Sequence, residues 1–211
     1  MLGLMQDWPL LCHKIIDNAA RQHGNREIVT RSVEGPIVRT TYRDLRLRAL
    51  KVAQKLEREG FRQGDRIATL AWNSARHLEA WFGIMGMGGV YHTLNPRLFP
   101  EQLVWIMNHA EDEAVFVDPT FVPLLEKLAP AVKSLKKVIV LTDAAHMPQT
   151  SLPNAVAYEE WLADADGDYA WKTFDENTAA GMCYTSGTTG DPKGVLYSHR
   201  SNVIHALIAT M

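Results

Sequence analysis

The stretch Gly64 to Leu94, GDRIATLAWNSARHLEAWFGIMGMGGVYHTL, sets the architecture. Arg66 to Ala71 is a compact apolar run after a Gly-Asp turn, which reads as a buried strand. Asn73 and Ser74 then offer side-chain oxygens to cap a helix whose inner face is Leu78, Trp81, Phe82 and Met85. Glycines close that helix, and Val90 to Leu94 is again strand-like. Strand, helix and strand in about thirty residues form one βαβ unit, the building block of a parallel sheet.

The same rhythm continues on both sides. Upstream, Pro9 to His23 has apolar residues at helical spacing and stops at Gly24, while Arg26 to Arg31 and Ile37 to Tyr42 read as a strand pair turning at Glu34-Gly35-Pro36. Tyr42 to Glu59 is a helix with Leu45, Ala49, Val52, Ala53 and Leu56 inward. Downstream, helix Pro100 to His109, strand Ala114 to Val117, helix Pro119 to Leu135 with its continuity disturbed at Pro123 and Pro130, and strand Lys137 to Thr142 follow. Repeated βα units with apolar strands predict an α/β fold: a doubly wound, mostly parallel sheet flanked by helices. Residues 143–177 break the rhythm with Pro148, Pro153 and the acidic run DADGD at Asp164 to Asp168, and read as a surface excursion holding a short helix, Tyr158 to Ala163. A last helix starts at Ser201 with Val203, Ile204, Leu207 and Ile208 on one side.

Composition narrows the function classes. The chain has 211 residues, 46% apolar content and a formal charge of −2, enough for one substantial core and no general attraction to polyanions. Six basic residues line helix Tyr42 to Glu59, but three acids interrupt them and no aromatics interleave, so this reads as a solvated face and not a nucleic-acid surface. Cys12 and Cys183 are far apart in apolar settings, which predicts reduced core thiols and a cytoplasmic protein. The longest uncharged apolar stretch, Ala80 to Tyr91, has 12 residues, too few for a membrane-spanning helix. Eight histidines show no metal-ligand spacing, and His77 and His199 read as packing residues. Trp81 and Phe82 read as core, with the wall of an apolar ligand pocket as the sharper alternative.

The densest chemistry lies at Tyr184 to Val195, YTSGTTGDPKGV. Hydroxyls of Ser186, Thr188 and Thr189, bare amides at Gly187 and Gly190, and the ammonium of Lys193 make the ingredients of an anion nest. The apolar runs Ala179 to Thr185 and Val195 to Tyr197 pin the segment between strands, as linkers are not pinned. A Walker loop would need glycine where Pro192 stands and Ser or Thr where Gly194 stands. A nucleophile elbow around Ser186 would need glycine in place of Tyr184. Asp191 reads as a turn residue facing solvent.

This run resembles the phosphate-binding signature of the adenylate-forming superfamily, which includes acyl-CoA synthetases, luciferases and peptide-synthetase adenylation domains. That pattern is an aromatic residue, TSG, Thr or Ser, TG, any residue and PKGV, and every fixed position is met. The likeness extends through TTYRDL (Thr40 to Leu45), GDRIATLAWN (Gly64 to Asn73), RHLEAWFG (Arg76 to Gly83), HTLNPRL (His92 to Leu98), NHAED (Asn108 to Asp112) and YSHRS (Tyr197 to Ser201), and is strongest to medium- and long-chain fatty-acid CoA ligases. The resemblance implies that a fatty acid or related carboxylic acid reacts with ATP to give an acyl-adenylate and pyrophosphate, after which coenzyme A displaces AMP. It implies that Ser186, Gly187, Thr188, Thr189, Gly190 and Lys193 hold the β- and γ-phosphates and that Thr185 meets Mg²⁺, while no catalytic residue is assigned in this chain. The family's adenine segment, ribose-binding aspartate and mobile C-terminal domain find no counterpart, so residues 1–211 are expected to be the N-terminal part of the large AMP-binding domain, inactive alone. Pairing of two chains through the N-terminal region and peripheral contact with membranes belong to the same expectation. Two other readings stay open: a non-catalytic dimerisation or regulatory module that keeps the fold, and an unrelated phosphate-binding or NTP-hydrolysing domain.

Overall fold

A computed structural model describes Met1, residues 3–185 and residues 191–211. The chain begins with α1 (His13–Gln22), the antiparallel hairpin β1 (Glu27–Arg31) and β2 (Ile37–Thr41), and α2 (Tyr42–Arg58). The quoted unit follows as β3 (Arg66–Leu70), α3 (Ala75–Gly86) and β4 (Val90–Thr93). Then come α4 (Pro100–Ala110), β5 (Ala114–Val117), α5 (Val122–Leu128), β6 (Lys137–Val140), β7 (Ala155–Ala157), α6 (Tyr158–Leu162), β8 (Ala179–Thr185), β9 (Lys193–Ser198) and α7 (His199–Ala209). Seven strands form one sheet in the order β7-β6-β5-β3-β4-β8-β9, parallel throughout except for the antiparallel β8–β9 pair. The mostly parallel sheet expected from the sequence is present.

Alternation along the strands explains the two layers. Ile67, Phe116 and Ile139 join Leu45, Val52, Leu56, Phe82 and Met85 in a core beneath α2 and α3. Their neighbours Ala68, Leu70, Val115, Val117, Val138 and Val140 point the other way, into a second core with Leu103 and Ile106 of α4 and Leu125 and Leu128 of α5. The five inward residues named on α2 are all fully buried. Gly83 lets α3 approach α2 closely, since a Cβ there would lie 2.6 Å from Val52 Cβ. The polypeptide leaves β3 for α3 on one face and β4 for α4 on the other, so a crevice opens at the carboxyl ends of these adjacent strands.

Several expectations need correction. Residues 143–177 are more than a surface excursion: β7 adds a parallel edge strand to β6, and Tyr158 is fully buried. A strand of three residues is too short to show a period. The Tyr158 hydroxyl donates to Glu79 Oε2 at 2.8 Å, and the Trp161 ring packs on Phe116 at 5.6 Å. The basic face of α2 is likewise not simply solvated. Lys55 binds Asp164 at 2.8 Å, the Gln54 amide donates to Asp166 at 2.8 Å, and Arg48 reaches both Glu79 and Glu159. The acidic run therefore docks on the basic helix. The helix expected over Pro119–Leu135 is broken into a 3₁₀ turn, α5 and a second 3₁₀ turn ending at Ala131, because Pro130 removes a backbone donor. α1 starts at His13, later than Pro9, and α7 starts at His199, where the Ser198 hydroxyl accepts from Ser201 N at 3.0 Å. Cys12 is buried as expected, but Cys183 is only half-buried.

Candidate functional site

The assigned phosphate residues Ser186, Gly187, Thr188, Thr189 and Gly190 lie outside the described residues. Their flanks are placed. β8 and β9 form an antiparallel ladder, irregular between Ala179 and Gly181, in which Tyr184 pairs with Gly194 and Thr185 with Lys193, so a hydroxyl and an ammonium stand side by side at the two ends of the loop. Both are exposed, as is Asp191. A cation and hydroxyl presented together in this way suit an anionic oxygen. Among the described residues no cluster of three His, Cys, Asp or Glu could hold a metal ion.

Tyr184, where β8 meets the loop, is held by residues that have no assigned role in the sequence reading. Its hydroxyl is joined to His109 Nδ1 at 2.6 Å, and Trp105 stacks on His109 with ring centres 4.6 Å apart. The ring also rests 5.2 Å from His92, whose Nδ1 lies 2.9 Å from both carboxylate oxygens of Asp112. His92 and Asp112 are completely buried. Burial raises the Asp112 pKa, and its bond to His92 works against that rise. The segments HTLNPRL and NHAED, noted above only as resemblances, thus meet beneath the loop's entrance. Gly194 leaves room for Tyr184, since a Cβ there would fall 3.1 Å from the ring.

On the opposite face, a cavity of about 520 Å³ opens between the β1–β2 hairpin, the first turns of α3 and the ends of β4 and β8. Ile28, Val29, Leu78, Trp81, Tyr91 and Cys183 supply most of its wall. Leu78 and Trp81, expected in the core, are half-buried at this wall; Phe82 and Met85 are in the core. The Trp81 and Tyr91 rings lie 4.8 Å apart. Tyr91 sits opposite Gly181 in the ladder, and a Cβ on Gly181 would lie only 2.1 Å from Tyr91 Cζ. His77 donates from Nδ1 to the Trp72 carbonyl at 3.0 Å, and burial lowers its pKa, so it faces this cavity as a neutral ring. Cys183 Sγ lies 3.3 Å from Thr93 Oγ1.

A second cavity of about 270 Å³ lies behind the hairpin and is charged. Arg76 binds Glu34 at 2.6 Å and Glu159 at 2.8 Å, and Glu34 also accepts from the Thr142 hydroxyl at 2.8 Å. Burial tends to raise the Glu34 pKa, but the Thr142 and Arg76 donors outweigh it and hold the pKa near about 2. Asp118, at the end of β5, accepts from Trp72 N at 2.6 Å, yet burial pushes its pKa up to about 6. His199, read as a packing residue, is buried with Nδ1 accepting from Cys12 N at 3.2 Å, so it ties α7 to the start of α1.

Comparison with known proteins agrees with this layout. The chain is 46% identical over 206 residues to a 3-methylmercaptopropionyl-CoA ligase of Ruegeria lacuscaerulensis, covering 98% of this chain and 38% of that protein. It is 42% identical over 211 residues to a medium-chain-fatty-acid–CoA ligase of Ectopseudomonas oleovorans, covering 100% and 39%. The chain thus spans less than two-fifths of the length of these relatives. Among solved structures, the anthranilate CoA ligase AuaEII in complex with anthranoyl-AMP superposes with a TM-score of 0.80 over 94% of this chain and 36% of that one, a likeness of fold at 22% identity. A model of the AMP-binding enzymes matches residues 16–211, and the chain belongs to that AMP-binding enzyme family.

Proposed function

We propose that this chain carries the pyrophosphate-clamping part of an AMP-forming acid–thiol ligase, in which a carboxylate attacks the α-phosphate of ATP and coenzyme A then takes the acyl group. The observation that carries this reading is the β8–β9 ladder, which sets Thr185 against Lys193 at the mouth of the family's signature loop. Charge grows on the leaving pyrophosphate, and donors already positioned there lower its energy most in the transition state. Lys193 supplies the charge, Thr185 and the hydroxyls and amides from Ser186 to Gly190 supply further donors, and Mg²⁺ would neutralise phosphate oxygens. Medium- or long-chain fatty acids are the proposed substrates, on the strength of the relatives' identities. We place the protein in the cytosol, consistent with two free cysteines; no helix among the described residues is long and apolar enough to cross a membrane.

Titration calorimetry of the 211-residue chain with ATP and pyrophosphate tests the clamp. Lys193→Ala should weaken both ligands about 10- to 100-fold, the equivalent of one charge-assisted hydrogen bond. An unchanged affinity would remove Lys193 from the clamp. The chain alone is proposed to be inactive, so fatty-acid-dependent ATP–pyrophosphate exchange by it would overturn that part. Self-association through the N-terminal region fits the outward apolar side chains of the hairpin, Val29, Ile37 and Val38, and light scattering reads it directly.

A further inference from the structure

We infer, resting on the ligase reading above, that His109 is a positioning residue for the Thr185–Lys193 pair and acts on it through Tyr184. Tyr184 and Thr185 are neighbours in β8, so their side chains point to opposite faces of the sheet, Tyr184 toward α4 and Thr185 away from it. Lys193 pairs with Thr185 across the ladder, and Gly194 with Tyr184. Because Gly194 has no Cβ, the Tyr184 ring lies against β9 as well as standing on its own strand. One ring therefore sets how both strands sit against α4, next to the hydroxyl and the ammonium. Among the described residues β9 is bonded to β8 alone and forms the edge of the sheet, so it has no other strand to hold it in place.

The support beneath Tyr184 is stiff. α4 buries Leu103, Ile106 and Met107 in the second core, and Asn108 fastens its last turn by donating to the Ala131 carbonyl at 2.8 Å and accepting from Lys133 N at 3.0 Å. His109 is the next residue, braced by the Trp105 ring and joined through Nδ1 to the Tyr184 hydroxyl. Trp105 also meets the Tyr184 ring edge-on, with centres 6.3 Å apart. Burial, and after it the charge of Asp112, raise the Tyr184 pKa, so the phenol keeps a proton to donate to His109. The same ring rests on His92, which Asp112 orients through Nδ1 while Nε2 is buried with no hydrogen-bond partner among the described residues. An unpaired buried nitrogen costs stability, and folds tolerate such costs chiefly at functional sites.

Calorimetric titration of the whole 211-residue chain with pyrophosphate, run beside hydrogen exchange at residues 183–185 and 193–195, tests the role. Tyr184→Phe removes only the hydroxyl, and His109→Ala removes its partner at an exposed position. Each should weaken pyrophosphate about 3- to 10-fold, the equivalent of one hydrogen bond, and speed exchange at the two strand ends while exchange in β5 stays unchanged. The double variant should be no weaker than the worse single one, because both changes break the same contact. His109→Asn returns a hydrogen-bonding atom near the place of Nδ1 and should recover most of the affinity, which a ring needed only for packing would not allow. Losses that multiply in the double variant, or unchanged affinity in Tyr184→Phe while Lys193→Ala still weakens pyrophosphate, overturn the positioning role and leave the clamp standing. Faster exchange at the strand ends in Tyr184→Phe, with pyrophosphate binding indifferent to Lys193, sinks the ligase reading alone and leaves Tyr184 as the brace of the pair.

Discussion

The centre of the sheet and its β9 edge are built from similar residues and end in opposite environments. β5 (AVFV) is buried at every position, bonded on both edges and covered on both faces. β9 carries Val195, Leu196 and Tyr197, yet these are 39%, 63% and 42% exposed and the strand hangs on β8 alone. Apolar content shows that a strand can be buried; its number of partners decides whether it is. Around β5 the apolar surface has been spent on folding, whereas beside the loop it stays open to solvent, as it does at interaction sites.

That contrast can be broken by mutation. Phe116→Ala removes a ring packed against Trp161 and Tyr158 in the fully buried centre, and should cost about 3–5 kcal/mol in urea unfolding. A loss below about 1 kcal/mol would mean the centre is not the stabilising core. Asp118 gives a smaller, pH-dependent effect. Its pKa, raised to about 6 by burial, means that the folded state disfavours the carboxylate, so this group makes stability fall as pH rises from about 4 to about 6 and stay flat above. Asp118→Asn should erase that slope, worth at most roughly 3 kcal/mol for about two pKa units, and an identical slope in the variant would relocate the titration. At the edge, Leu196→Ser should leave the unfolding midpoint unchanged within about 0.5 kcal/mol. A large loss there would show that β9 is covered in solution.

The same contrast explains what the sequence revealed. Strands β3 to β6 and their helices were legible because burial on both faces leaves continuous apolar runs, and the inward side of α2 because it keeps helical spacing. β7 was not, since three small residues after Asn154 carry no pattern of their own. Trp81 and Leu78 looked like core because a cavity wall and a core demand the same residues; only the hairpin's distance from α3 separates the two outcomes. The loop was conspicuous by composition, but its supports were hidden. His92 and Asp112 lie 20 positions apart, and His109 meets Tyr184 across 75, so only the fold brings them together.

Gly181 shows how economically β8 is used. Because it has no side chain, the strand is at once the seat of the Tyr91 ring and the rail that delivers Thr185 to the loop. A single methyl at this position would have to displace either the ring or the rail, so the cavity wall at Tyr91 and the Thr185–Lys193 pair would be disturbed together by one change remote from the pair.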